Sequence, residues 1–156
     1  MANRSNAATR QHERSPLLLN DQLCFAVYSA GLAMNKLYRR LLKDLDLTYS
    51  QYLVMLVLWE KDRVNISEVG ERLLLDSGTL TGLLRRMESS GLLKRERAPE
   101  DERQVIISLT PKGRDLRKLA VSIPGTVDDA TGCTSPELAA MKKELHTLRN
   151  RLMEKA

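Results

Sequence analysis

The stretch 65–113, NISEVGERLLLDSGTLTGLLRRMESSGLLKRERAPEDERQVIISLTPKG, decides the fold. Its first part reads as a short helix to about Leu74, capped by Ser67 and carrying Val69, Leu73 and Leu74 inward. Asp76-Ser77-Gly78 breaks that pattern. A second helix follows from about Ser77 to Ser90, with Leu80, Leu83, Leu84 and Met87 as its buried set and Gly91 as its stop. Leu93 to Arg97 and Val105 to Leu109 then form a β-hairpin with a charged tip that contains Pro99. A short helix, a tight turn, a second helix and a hairpin make a winged helix-turn-helix.

With its apolar set turned inward, the second helix presents Ser77, Thr79, Thr81, Gly82, Arg85 and Arg86 outward, and Asp76 stands at its start. Hydroxyl side chains near a helix N-terminus suit base edges and phosphates. Arginines suit phosphates or guanine, and the helix terminus is itself an anion site. The wing tip, Glu100-Asp101-Glu102-Arg103, holds three acids and one base. That balance fits double-stranded DNA if the Asp101 carboxylate holds the Arg103 guanidinium in one pose, since a rigid arginine at a hairpin tip can enter a minor groove. From spacing alone the same run is equally a solvated turn, and helix-turn-helix shapes also occur in modules that bind protein.

Upstream, Leu23, Val27, Ala30, Met34, Leu37, Leu41 and Leu45 recur at helical spacing, which predicts one long amphipathic helix over 17–45. Thr48 with Gln51 fits a capping box and opens a helix from Tyr49 to about Lys61. Leu53, Val54, Leu56, Val57 and Leu58 leave that helix little polar surface, so it should be central and buried. Downstream, Thr110-Pro111 starts a helix that continues through Leu116, Leu119, Ala120 and Ile123 until Pro124-Gly125. Residues 127–134 are loosely patterned. Ser135-Pro136-Glu137 opens a last helix, in which Leu138, Met141, Leu145, Leu148 and Leu152 follow at spacings of three and four. The fold class is therefore mainly α with a small β-wing.

The 156 residues, 42% hydrophobic and 29% charged with a formal net charge of +5, amount to one domain or one domain plus a dimerisation element. The basic balance favours a nucleic-acid or membrane partner over a cationic one. The longest strongly apolar run, Leu53 to Trp59, is too short to span a bilayer, so no membrane partner is expected. The first residues, MANRSNAATRQHERSP, lack a signal peptide's apolar core and read as a flexible basic arm over 1–16. A cytoplasmic protein with reduced thiols is the expectation. Cys24 and Cys133 have no metal-ligand spacing and His12 and His146 lie far apart in sequence, so neither metal nor cofactor is expected. All six aromatic residues, Phe25, Tyr28, Tyr38, Tyr49, Tyr52 and Trp59, fall in one stretch that begins beside Cys24.

The quoted stretch resembles the winged helix-turn-helix of the multiple antibiotic resistance regulator (MarR) family. Its DERQVIISLTPKG is similar to that family's wing signature, with Asp101 and Arg103 on the wing's aspartate and arginine. Upstream, DQLCFAVYSAGLAMNKLYRRLLKDLDLTYSQYLVMLVLWE resembles one branch, the organic hydroperoxide resistance regulators. The resemblance covers roughly residues 17–155 and implies a homodimeric repressor. A sensor and dimerisation helix over 17–47 and C-terminal helices over 111–156 would form the dimer interface. The winged helix-turn-helix over 48–110 would read half of a pseudo-palindromic operator. In that branch the sensing cysteine sits in the first helix, matched by Cys24, and two tyrosines that hydrogen-bond it are matched by Tyr38 and Tyr49. Phe25, Tyr28, Met34, Tyr52 and Trp59 are candidates for the pocket wall around it. Cys133 lies where the two-cysteine subgroup keeps a resolving cysteine, which closes a disulfide to the other subunit. Organic hydroperoxides would be the inducers.

Without the resemblance, a cysteine on the first helix of an α-protein is ordinarily a small buried hydrophobe, and Cys133 is an incidental thiol. Tyrosines at helical spacing are ordinarily core. Three other readings follow: a regulator of the same fold that answers a phenolic or other small molecule, a thiol peroxidase using Cys24, and a winged helix that binds protein. The first makes the cysteines incidental, and the second leaves the reading helix and wing without a purpose.

Overall fold

The structure, a computed structural model, describes residues 17–156, and the basic arm expected over 1–16 lies outside the described residues. The described residues divide into two compact units, 17–36 and 37–156.

In the first unit, Leu19–Asp21 form a single 3-10 turn and Gln22 is extended, so helix α1 begins only at Leu23. α1 spans Leu23–Leu41, shorter at both ends than the helix expected over 17–45. After it, already in the second unit, the bonds Leu45 N to Leu42 O and Asp46 N to Lys43 O tighten Lys43–Leu45 into a second 3-10 turn. Asp46 closes this turn in the left-handed conformation, φ 52°. No residue of α1 is buried, and Leu23, Val27, Tyr28 and Leu32 lie on its surface.

The second unit is built on α2, Tyr49–Glu60. The expected capping box is present: Thr48 Oγ1 accepts from Gln51 N, and Thr48 N donates to Gln51 Oε1 at 2.8 Å. Tyr52, Val54, Met55, Val57 and Leu58 of α2 are buried, each such side chain contributing about 1.5–3 kcal/mol of transfer free energy. Around them pack Val69 of α3 (Ile66–Leu73) and Leu80, Leu83, Leu84 and Met87 of α4 (Ser77–Ser89). The inward set expected on α4 is thus the observed one.

A two-residue strand, β1 (Val64–Asn65), precedes α3, a strand too short to show in any periodicity. It fixes the start of α3: the N-cap is Asn65, whose Oδ1 accepts from Ser67 N at 2.9 Å, and not Ser67 as the sequence suggested. The turn before α4 also falls earlier than Asp76-Ser77-Gly78. Leu74 ends α3 in the left-handed conformation, φ 55°, and Gly78 lies inside α4. The wing strands are longer than expected: β2 covers Leu93–Ala98 and β3 covers Asp101–Leu109. The antiparallel sheet has the order β1-β3-β2.

Helix α5 spans Pro111–Ala120 and α6 spans Ile123–Thr131. Pro124 therefore begins a helix where it was expected to end one, because proline fits a first helical turn, whose N–H groups have no intrahelical acceptor. Residues 127–134, expected to be loose, are mostly helical, with Val127 buried. The last helix, α7, spans Ser135–Met153 and buries none of its residues. Its cap sits one residue earlier than expected: the Glu137 carboxylate accepts from Thr134 N at 2.7 Å and from the Thr134 hydroxyl at 2.8 Å.

Two junctions tie the sheet to the helices. Asp62 Oδ1 accepts from Arg63 N and from Leu109 N, both at 2.8 Å, and Oδ2 accepts from Arg114 at 3.2 Å. Gly113 lies against the start of β2, where a Cβ on it would meet the Leu92 carbonyl oxygen at 2.1 Å. Trp59 Nε1 donates to Gly113 O at 2.9 Å.

Candidate nucleic-acid interface and thiol positions

The N-terminal turn of α4 is organised by Asp76. Its carboxylate accepts from Thr79 N at 2.9 Å and from the Thr79 hydroxyl at 2.6 Å. The side-chain bond from Thr79, followed by the backbone bond, holds the Asp76 carboxyl below the usual aspartate range. Asp76 is thereby engaged as a cap, and Thr79 is tied to it. Of the outward set read from the sequence, Ser77, Thr79, Arg85 and Arg86 are exposed, while Thr81 and Gly82 are half-buried.

The wing is fastened to α4 by a pair that sequence reading missed. Glu88 Oε1 accepts from Arg95 N at 3.0 Å, and Oε2 accepts from Arg95 Nε at 2.8 Å. Partial burial pushes the Glu88 carboxyl up, but the side-chain and backbone hydrogen bonds from Arg95, with its positive charge, bring it below the ordinary glutamate value. A carboxylate held low in the folded state stabilises the fold above its unfolded pKa, and that stabilisation is lost as pH falls through the folded pKa. Thermal melting of Glu88→Gln should therefore fall below wild type at neutral pH, and the gap should close as pH drops below the ordinary glutamate range. A gap unchanged down to about pH 3 would remove the ion pair as its cause. The two residues are seven apart across the Gly91 turn, so no helical or strand spacing announces them.

At the wing tip the expected pairing of Asp101 with the Arg103 guanidinium is replaced by another. Asp101 Oδ1 accepts from the backbone N–H of Arg103 at 3.0 Å, and Oδ2 accepts from Gln104 Nε2 at 3.3 Å. The aspartate sits two residues before Arg103 on the same strand, where a short side chain reaches the backbone N–H. Arg103 is exposed, and among the described residues no hydrogen bond or ion pair to its guanidinium is present.

Cys24 is exposed near the start of α1, in the N-terminal unit. On the same helix Phe25 is half-buried, while Tyr28 and Met34 are exposed. Four of the six aromatic rings gather in the larger unit. Tyr38 stacks on Tyr49 with centroids 4.4 Å apart, Tyr52 lies 5.6 Å from Tyr38, and Trp59 meets Tyr52 edge-on at 6.2 Å. Burial, and then the neighbouring Tyr49, Tyr52 and Asp128, push the Tyr38 phenol up to about 12. Burial likewise raises Tyr49 and Tyr52. All three phenols keep their protons at neutral pH, so each hydroxyl remains a hydrogen-bond donor. Cys133 is half-buried in the α6–α7 link after Gly132, whose φ is 68°. Its N–H donates to Thr131 Oγ1 at 3.1 Å and its thiol faces Thr131 O at 3.7 Å. Among the described residues no cluster of His, Cys, Asp and Glu could hold a metal ion, and no helix is long and apolar enough to cross a membrane.

A family profile, "Transcriptional regulator SarA/Rot", matches residues 36–118. The HTH-type transcriptional regulator TtmR of Methylorubrum extorquens (strain PA1) is 46% identical over 155 residues, covering 99% of this chain and 80% of that protein. The organic hydroperoxide resistance transcriptional regulator of Bacillus subtilis (strain 168) is 46% identical over 137 residues, covering 88% of this chain and 93% of that one. Among solved structures, AbfR of Staphylococcus epidermidis is similar. Reduced and bound to DNA, AbfR has 37% identity and a TM-score of 0.72, with 87% of this chain and 96% of that one covered. In its disulfide-formed state the TM-score is 0.60, with 83% and 91% covered.

Proposed function

The chain belongs to the MarR-related winged-helix transcriptional regulators of the SarA/Rot type, and from that premise we propose that it is a repressor released from DNA by organic hydroperoxides through oxidation of Cys24. As a member of that family it is a DNA-binding transcriptional regulator and not an enzyme. The observation that carries the finer reading is the presence of Cys24 on an accessible helix face together with a second thiol, Cys133, next to a helix that buries nothing. The similarity to an organic hydroperoxide resistance regulator, and to a protein solved both reduced on DNA and in a disulfide form, supports it.

In this reading α1 and the segment 111–156 build a homodimer, whose second copy covers the apolar residues that α1 and α7 leave exposed. Residues 48–110 supply the reading unit. Each protomer takes half of a pseudo-palindromic operator, with Ser77, Thr79, Thr81, Arg85 and Arg86 on the major-groove side and Arg103 on the wing. Asp76 and Asp101 act by arranging Thr79 and Arg103.

The Cys24 thiolate attacks the distal oxygen of the hydroperoxide. An S–O bond forms, the O–O bond breaks, and the alkoxide leaves and takes up a proton as the alcohol. The Cys133 thiolate of the other protomer then attacks the sulfenic sulfur: the S–S bond forms, the S–O bond breaks, and the hydroxide leaves and takes up a proton as water. Tyr38 and Tyr49 of the other protomer are assigned as the donors to the sulfur, a role that their protonated phenols suit, since Tyr38 of the same chain stands roughly 21 Å along α1 from Cys24; Phe25, Tyr28, Met34, Tyr52 and Trp59 are assigned as the apolar wall. Closing the disulfide shifts the dimer helices, and DNA, which fixes the half-site separation, no longer fits both reading helices.

The test is a gel shift on the DNA upstream of the protein's own gene, with non-reducing electrophoresis alongside. An organic hydroperoxide should release the DNA and crosslink the wild-type dimer, and a thiol reductant should reverse both. Cys133→Ser should lose the crosslink. A full inter-subunit crosslink in Cys133→Ser would exclude Cys133 as the resolving thiol.

A second reading has one observation in its favour, an open recess of about 210 Å³ lined by Tyr52, Leu56, Trp59, Arg117 and Val121. With Glu60 and Arg117 both on its rim it suits a small phenolic ligand, whose effect on DNA affinity would survive Cys24→Ser.

A further inference from the structure

The wing strands change register at the tip. Arg97 pairs with Val105, yet the next residue of β2, Ala98, pairs with Asp101. Glu102, Arg103 and Gln104 are therefore surplus on β3, with no counterparts on β2. Such a bulge takes its extra residues out of the ladder and bends the strand. Their polar groups need other partners, and an arginine placed there is not held by the sheet.

The partners come from side chains. Asp101 Oδ1 takes the Arg103 N–H, and Oδ2 takes Gln104 Nε2. Gln104 Oε1 accepts from Asn65 Nδ2 at 2.8 Å. Asn65 Oδ1 is already committed to Ser67 N as the cap of α3. Across the sheet Asn65 pairs with Ile106, so Gln104, two residues from Ile106 along β3, is its diagonal neighbour on the same face. The chain of bonds has one workable polarity. Because the Asn65 oxygen faces an N–H, its nitrogen must face Gln104. Gln104 must then offer oxygen to Asn65 and nitrogen to Asp101, whose carboxylate can only accept. Reversing either amide would set donor against donor.

We propose that Gln104 and Asn65 are positioning residues for the DNA contact of the wing: with Asp101 they form a side-chain scaffold that replaces the missing ladder and sets the pose of Arg103 relative to α3. The proposal rests on the reading of Arg103 as a DNA contact. The scaffold lies on the surface, outside the core. Its exposed bonds contribute little to the stability of the fold, and their effect falls on where the guanidinium points.

A double-mutant cycle on operator DNA at fixed salt tests this, using the full-length protein. Arg103→Ala should weaken binding at least about fivefold. Gln104→Ala should weaken it about three- to tenfold in the wild-type background, and by less than about 1.5-fold once Arg103 is alanine. Asn65→Ser keeps a cap acceptor, adds no charge and removes the donor to Gln104, so it should follow Gln104→Ala in both backgrounds. The melting temperatures of Gln104→Ala and Asn65→Ser should stay within about 2 °C of wild type. Equal losses in both backgrounds, or no loss from Gln104→Ala in the wild type, would overturn the positioning role. Undiminished binding by Arg103→Ala would overturn the wing contact itself and the scaffold's purpose with it.

Discussion

Gly113→Ala should destabilise the protein by at least about 3 kcal/mol, the top of the usual range for overpacking. The added Cβ would stand 2.1 Å from the Leu92 carbonyl oxygen and 3.1 Å from Leu109 Cδ2. The nearer obstacle is backbone, so no rotamer relieves it. Nor can the segment retreat. Thr110 Oγ1 accepts from Gly113 N as the cap of α5 while donating to Gly91 O at 2.6 Å, Thr110 N donates to Leu92 O, and Trp59 holds Gly113 O. Moving α5 outward breaks several of these bonds at once. For a chain of this size the loss corresponds to a fall in melting temperature of roughly 6–12 °C, read by circular dichroism. Gly125→Ala is the control: it lies within α6 with open space around its Cβ position, and it should be neutral or slightly stabilising. A Gly113→Ala protein melting within 2 °C or so of wild type would refute the close approach of α5 to β2.

Cys24→Ser should have the largest effect on function. It should bind operator DNA as the wild type does and remain bound at a hydroperoxide dose that fully releases the wild type. Cys24 is exposed on a helix with no buried residue, so exchanging sulfur for oxygen removes no core packing. The chemistry is lost entirely, because at neutral pH a serine hydroxyl yields no anion comparable to a thiolate and forms no sulfenic acid. Quantitative gel shifts across a hydroperoxide titration provide the measurement. Release of Cys24→Ser at the wild-type dose would exclude Cys24 as the sensor and favour the recess between Tyr52 and Arg117.

The parts of the fold legible in the sequence were those with short-range causes. The α2 capping box needs only Thr48 and Gln51, the inward face of α4 needs only its 3–4 spacing, and the wing needs only the β-branched run 105–109 after a charged, proline-containing tip. The errors cluster where a distant segment decides. Ser67 and Asn65 are both good caps, and the extended conformation that β1 imposes through its pairing with β3 selects Asn65. Pro124 is a stop or a start depending on whether Ile123 and Val127 find a core, which they do. Of the proposed DNA-reading surface, the residue types and their face on α4 were legible. The fastening of the wing was not, since Asn65 and Gln104 are 39 residues apart and Glu88 and Arg95 meet only across a turn. Asp101 and Arg103 were a natural guess at an ion pair, but the register shift in β3 gives the carboxylate a backbone N–H to take instead.

Asp62 has a mechanical consequence. One carboxylate at the end of α2 grips the last residue of the wing strand and the second turn of α5 at the same time. A hinge at the base of the wing would have to break those bonds first. The root of the wing, the end of α2 and the start of α5 are therefore joined through one side chain, so a displacement of α5 is felt first at Leu109.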